Sequence, residues 1–237
     1  MSLRIFPVLC NKGFMDNYSY IIEDEETKTA AIIDASEEKA ITDQCSELGV
    51  VPSYLLITHH HEDHTNATIA LKNKYNLKVV GSDEEKNKIP AIDIALQDNE
   101  KFYLGNSEAQ IILTQGHTNG HILWYFANDS ILFTGDVLFN LCIGGLFEGT
   151  PEQMWNSLQK IKSLPDDIKF YPGHEYTMFN INSLRTDNTD CNEYLKFITE
   201  KRRKNEPIVG ITLGLEKKCN PYLKISSKTE FTSYFRG

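Results

Sequence analysis

Four histidines and two acids stand in one unbroken run, His59 to His64, inside the stretch YLLITHHHEDHTN that begins at Tyr54. The run follows an apolar segment, where a solvated loop would more often carry Ser, Asn, Gly or Lys. An extended chain leaving a strand sends alternate side chains to one side, so His59 and His61 can face one point while His60 faces away. Asp63 and His64 come where the chain begins to turn, and there they can serve a second point nearby. All seven histidines fall into three neighbourhoods: this one, TQGHTNGH with His117 and His121, and YPGHEYT with His174. Asp136 in LFTGD closes a fourth strand-like run. Five neutral imidazoles and two carboxylates from these places exceed the three or four protein ligands that one zinc takes, so two metal ions are expected. Zinc suits imidazole with carboxylate and no thiolate, while iron or manganese could occupy the same donors. Two divalent ions against two carboxylates and one hydroxide leave about one positive charge, enough to hold an oxyanion, and a divalent metal lowers the pKa of bound water to about 7.

Such loops need a rigid scaffold behind them. NYSYIIEDEETKTAAIIDA, from Asn17 to Ala35, reads as two strands around a charged turn. KAITDQCSELG has helical spacing and a closing Gly49, and YLLIT is a short buried strand that runs into the histidines. A helix in NATIALKNKYN and a strand in KVVGS come next. AQIILT, HILWYF and ILFTG are strand-like, the last two joined by the turn ANDS. Helix TPEQMWNSLQKIKSL opens with Thr150 as N-cap, Pro151 at the first helical position and Gln153 completing a capping box, and strand KFYP follows. Strands alternating with helices, with both hairpins and crossovers, predict an α/β layered architecture. After about Thr177 strand signals fade and CNEYLKFITEKRRKN leads toward Pro207, so a small helical C-terminal region is expected.

The chain has 237 residues and a net charge of −9, with 41% apolar and 24% charged residues. The length suits one large domain or a core with a smaller appendage. The acidic balance argues against a nucleic-acid partner, which needs an electropositive footprint. KRRK, at Lys201 to Lys204, is a local exception that reads as a solvated helix end or as a patch attracting an anion. No apolar stretch approaches the roughly 18 residues of a membrane span. The N-terminus lacks a secretory pattern, making cytoplasm the expected location. Cys10, Cys45, Cys142, Cys191 and Cys219 are odd in number and never spaced as CxxC, so reduced thiols with no disulfide are expected.

THHHEDH, GHTNGH, TGD and GHEYT, in this order and at these separations, resemble the metallo-β-lactamase superfamily, and specifically the glyoxalase II or hydroxyacylglutathione hydrolase family. The resemblance spans nearly the whole chain. It implies an αββα sandwich with the metals at one edge, a metal-binding domain over residues 1–176 and a helical substrate-binding region over 177–237. It implies that His59, His61 and His117 bind one metal, that Asp63, His64 and His174 bind the other, and that Asp136 bridges them; Asp63 and Asp136 are thereby the catalytic carboxylates. His121 and His60 fall outside the set. Asp34 matches an acid that orients the histidine loop, although at this position it could be a plain turn residue. Tyr176 matches a tyrosine that contacts glutathione, with a buried structural role as the competing reading. Phe147 stands where some members carry a substrate-side tyrosine.

The likeness implies hydrolysis of a small-molecule thioester, S-lactoylglutathione or a related 2-hydroxyacyl glutathione. The alternatives are a lactonase or β-lactamase-like hydrolase on the same metals and a mononuclear iron persulfide dioxygenase. Two positions depart from the pattern. CIGGLFEGT has Gly145 where the family places a basic residue that grips the glutathione tail, and the C-terminal basic pair is absent or cut off after Arg236.

Overall fold

The computed structural model describes residues 3–181 and 191–235, so Arg236 lies outside the described residues. The first sheet is built from β1 (Leu3–Cys10), β2 (Asn17–Asp24), β3 (Ala30–Ile33), β4 (Tyr54–Leu56), β5 (Lys78–Ser82) and β6 (Ile94–Leu96), in that spatial order. Its first three strands are antiparallel and its last three continue in parallel from β3. Parallel pairing needs crossovers, supplied by α1 (Glu38–Leu48) between β3 and β4 and by α2 (Glu62–Thr65) with α3 (Thr68–Tyr75) between β4 and β5. Gly49 ends α1 in the left-handed conformation, φ 65°, with its N–H returned to the last turn.

The second sheet takes β7 (Lys101–Leu104), β8 (Ser107–Leu113), β9 (Ile122–Phe126) and β10 (Ile131–Gly135), beside a small ribbon of β11 (Leu138–Phe139) and β12 (Cys142–Ile143). It is completed by β13 (Lys169–Pro172) and β14 (Ile211–Thr212), in the order β14-β13-β10-β9-β8-β7. The crossover from β10 to the parallel β13 is α4 (Pro151–Lys162), whose capping box pairs Thr150 with Gln153 in both directions. Then come α5 (Thr177–Asn180), α6 (Asn192–Arg203), α7 (Leu213–Cys219), α8 (Pro221–Lys224) and α9 (Lys228–Ser233).

Side-chain alternation sorts the layers. Tyr20, Ile22, Ile33, Leu56 and Val80 of the first sheet meet Trp124, Phe126, Ile131 and Phe133 of the second in a central core. Their sequence neighbours Ile21, Ile32, Leu55 and Val79 face outward onto Ile41, Cys45 and Leu71 of α1 and α3. Leu123, Leu132 and Phe170 turn to the other outside, against α4, α6 and the helices that follow. Two sheets face to face with helices outside both make the expected αββα sandwich.

The structure revises the sequence reading after Thr177. The C-terminal region is mostly helical but also carries β14, which pairs antiparallel with β13 through Lys169↔Thr212 and Phe170↔Ile211. Cys191 and Cys219 form a disulfide, their Cα atoms 5.6 Å apart across a separation of 28 residues, which corrects the expectation of reduced thiols only. The start of α6 and the end of α7 meet in a shared core, a tertiary fact that cysteine spacing does not carry. Cys10, Cys45 and Cys142 are free. Among the described residues no helix is long and apolar enough to cross a membrane.

Candidate metal centre

The parallel strands β3 and β4 end side by side, and their last residues start the site. Asp34, with φ 54°, accepts the Thr58 backbone N–H on Oδ1 and the Thr58 hydroxyl on Oδ2, each at 2.8 Å. That anchor sets the direction in which the chain leaves β4 and delivers His59, His60 and His61. The same Oδ2 accepts the Nδ1 proton of His64 at 2.9 Å, one turn later. β10 delivers Asp136, the loop before β9 delivers His117, and β13 delivers His174. Gly173 allows that last approach, because a Cβ there would lie 2.3 Å from Asp136 Oδ1.

Donor atoms of His59, His61 and His117 lie within 4.8 Å of one another, as do those of Asp63, His64 and His174, and those of His59, His64 and Asp136. His117 Nε2 is 2.9 Å from His61 Nδ1, and His64 Nε2 is 3.3 Å from His174 Nε2. Asp136 spans the cluster: its Oδ2 is 3.2 Å from His174 Nε2 and 3.6 Å from His117 Nε2, and its Oδ1 is 3.3 Å from His64 Nε2. Asp63 Oδ2 lies 3.3 Å from His174 Nε2 and accepts from Asn17 Nδ2 at 2.8 Å.

Outward-facing nitrogens fix the tautomers. His117 Nδ1 donates to Gly145 O at 2.9 Å, His174 Nδ1 to Met15 O at 2.8 Å and His64 Nδ1 to Asp34. In the neutral ring each inward Nε2 is thereby the nitrogen that keeps its lone pair, the form in which imidazole binds a metal. His59 Nε2 and Asp136 Oδ1 are buried with no hydrogen-bond partner. Bare nitrogens and an unpaired carboxylate oxygen turned toward each other are an arrangement completed by cations, so this donor set fits the expected metals.

The electrostatics divide the histidines. Burial drives His59 well below the ordinary imidazole range and takes His61 down to about 4; burial also lowers His117. Around the carboxylates burial is outweighed. Asp136 and Asp34 hold His64 well above its ordinary value, and Asp136 with Asp63 raises His174 to about 9. Burial disfavours charge on Asp136 too, but His174 and His64 keep it well below the usual carboxylate range.

Tyr176 is half-buried with its ring stacked on His174 at 4.7 Å, and Phe147, 73% exposed, sets its ring edge-on to His61 at 5.5 Å and His117 at 5.2 Å. Both flank the cluster. His60 points away, with Nδ1 3.1 Å from Glu85 Oε2 and Nε2 3.3 Å from Glu148 Oε1. His121 faces Thr114 Oγ1 and the backbone N–H of Asp136 rather than the other donors. Asn17 and Glu85 escaped the sequence reading: one is the first residue of a strand and the other lies in an acidic turn, SDEEK. Neither residue type at such a place signals a site.

Two facing sheets with mixed pairing and a histidine–aspartate cluster at their common edge define a protein of the metallo-β-lactamase class, and the sequence model described as the metallo-beta-lactamase superfamily matches residues 13–174. The model described as the hydroxyacylglutathione hydrolase C-terminus matches residues 175–233. A hydroxyacylglutathione hydrolase of Chelativorans sp. (strain BNC1) is 42% identical over 227 residues, covering 94% of this chain and 88% of its own length. Another from Pelagibacter ubique (strain HTCC1062) is 41% identical over 220 residues and 92% of each chain. The chain belongs to the hydroxyacylglutathione hydrolase family of that superfamily. In fold it is also similar to ETHE1 from Myxococcus xanthus, with a TM-score of 0.74 at 24% identity over 100% of this chain and 91% of the other.

Proposed function

We propose that this chain is a binuclear metal-dependent hydrolase of S-lactoylglutathione or a related 2-hydroxyacyl glutathione, releasing the hydroxy acid and glutathione. The observation that carries the reading is Asp136, buried between the His59/His61/His117 group and the Asp63/His64/His174 group and within 3.6 Å of a nitrogen in each. Two divalent ions at these groups, zinc by our reading with iron or manganese as the other candidates, would polarise the thioester carbonyl and supply an activated water at neutral pH. A mononuclear centre would have no use for the second group.

The residues around the cluster divide the remaining work. Asn17 holds Asp63 by its Oδ2, and Asp34 holds His64, so that both turn the correct atom inward. Tyr176 and Phe147, on opposite groups, wall the space in which an acyl thioester would lie. The departing thiolate has an ordinary pKa near 8.5 and is stable enough to leave without a strong protein acid. In this reading residues 1–176 carry the metals and 177–237 the substrate-binding region; the matches to two family models on either side of residue 174 support that division.

The test is a substrate panel of glutathione thioesters, lactones and β-lactams, run on protein of measured metal content and again after chelation. Thioester hydrolysis that disappears on metal removal and returns on reloading is expected. A preference for lactones or β-lactams would replace the substrate assignment, and activity surviving verified metal removal would end the metal reading.

A further inference from the structure

Glu85 is 1% exposed and lies at the end of the short turn after β5, outside the donor cluster. Its carboxylate is saturated by donors from two distant loops. Oε2 accepts the backbone N–H of His60 at 2.7 Å. Oε1 accepts the Thr118 hydroxyl and, at 3.1 Å, the backbone N–H of Gly120. His60 is the residue between His59 and His61, and Thr118 directly follows His117. One carboxylate therefore ties together the two loops that carry all three donors of one group. The close fit extends to Gly120, where a Cβ would fall 2.5 Å from Glu85 Cγ.

The same glutamate also groups with His60 and Glu148 as a triad of possible metal donors. Both of its oxygens are already engaged by N–H and O–H groups, which suits a tie between loops better than an ion site. Glu148 adds a weaker outer strut. It accepts the Asn119 N–H at 3.0 Å, faces His60 Nε2 and pairs with Lys88 at 2.7 Å.

We propose that Glu85 is the positioning residue of the His59/His61/His117 metal group, holding the two ligand loops at the separation that lets their nitrogens share one ion. The inference rests on the metal reading above. A buried carboxyl group accepting three hydrogen bonds from two loops fixes both at once, and removing an outer partner that orients metal ligands typically weakens metal affinity about 10- to 100-fold. An amide at this position cannot accept from both loops, since its NH2 would face a donor.

The experiment is zinc titration of wild type and Glu85→Gln by competition with a chromophoric chelator. Wild type should give two tight steps, and Glu85→Gln one step weakened about 10- to 100-fold with the other within about threefold. Combining Glu85→Gln with His174→Ala should remove nearly all tight uptake, whereas combining it with His61→Ala should add little, which assigns the weakened step. Equal weakening of both steps, or of neither, overturns the proposal. A wild type that takes up no zinc, iron or manganese overturns the underlying metal reading instead. Should Glu85→Gln fail to fold, Thr118→Val cuts one strand of the tie at constant volume. It should weaken the same step by a few-fold; no change there overturns the proposal.

Discussion

His121 Nε2 accepts the backbone N–H of Asp136 at 3.1 Å, and the His121 ring lies nearly parallel to that of His59, 4.9 Å away. A histidine beside the cluster thus spends its lone pair on the main chain of Asp136, the proposed bridging residue. Purified wild-type protein is expected to hold about two transition-metal ions. Asp136→Ala should deplete both groups. His121→Ala should keep most of the metal while losing about 1–3 kcal/mol of stability through the unpaired Asp136 N–H. Elemental analysis with thermal melts separates the cases; fully active protein with a single ion would contradict the binuclear reading.

Asp34 accepts from Thr58 with one oxygen and from both Thr58 and His64 with the other. Asparagine tolerates its left-handed backbone, so Asp34→Asn should fold normally, but its amide must turn N–H toward a donor on one side. Binding at the Asp63/His64/His174 group should weaken by about tenfold or more, with the other group less affected. Stepwise chelator competition reads both, and unchanged affinity would mean that His64 is oriented by its packing alone.

Gly145 contributes its carbonyl to His117, and a new Cβ there would come within 3.3 Å of Phe147 Cε2, so the exposed Phe147 ring must shift by a few tenths of an ångström to admit it. No cation stands at this position. Among the described residues that could replace it, Lys201 pairs with Glu206 and Lys217 with Asp166, while Arg202 lines a cavity of about 550 Å³ with Lys12, Tyr18 and Glu175. S-lactoylglutathione is expected to bind with a high KM, and Gly145→Lys should lower KM about 10-fold or more at nearly constant kcat, as a charged hydrogen bond to the glycine carboxylate would. A low micromolar KM in wild type, lost in Arg202→Ala, would show that Arg202 already serves.

Glu216 is buried in the C-terminal region and accepts from Leu141 N and Asn220 Nδ2 at 2.7 Å and from Tyr194 Oη at 2.6 Å. Burial outweighs these donors and pushes its carboxyl from an ordinary 4.5 up to about 7. The folded state therefore binds a proton that the unfolded chain has released between these values. Its contribution is full below about pH 4.5 and lost as pH rises through 7, by roughly 3 kcal/mol at most. Glu216→Gln should flatten the fall in stability between pH 5 and pH 8, measured by urea unfolding. An unchanged slope would place the titration elsewhere.

The strands that deliver the site were legible because they alternate strongly: YLLIT, HILWYF and ILFTG each put one set of residues in the central core and the other under a helix. The clustering of the proposed donors was legible because histidine is rare and here falls at strand ends. β1 gave little signal because Pro7 interrupts LRIFPVLC; as an edge strand, paired only with β2, it can spare that N–H. β14 is two residues long and exists only because β13 offers it an edge. Asn17 and Glu85 act through atoms supplied 25 to 46 residues away, and Cys191 finds Cys219 through the packing of two helices. Those are properties of the folded chain and leave no local pattern.

β14 also has a protective effect. It covers the outer edge of β13, the strand that carries His174 toward the cluster, and Leu213, Tyr194 and Phe231 lie over Phe170 and Leu132. A chain cut after Tyr176 would keep every proposed metal donor yet present Lys169–Phe170 as an open strand rim above a bared apolar face. Such rims recruit other chains, so the amino-terminal fragment should self-associate rather than persist as a lone catalytic body.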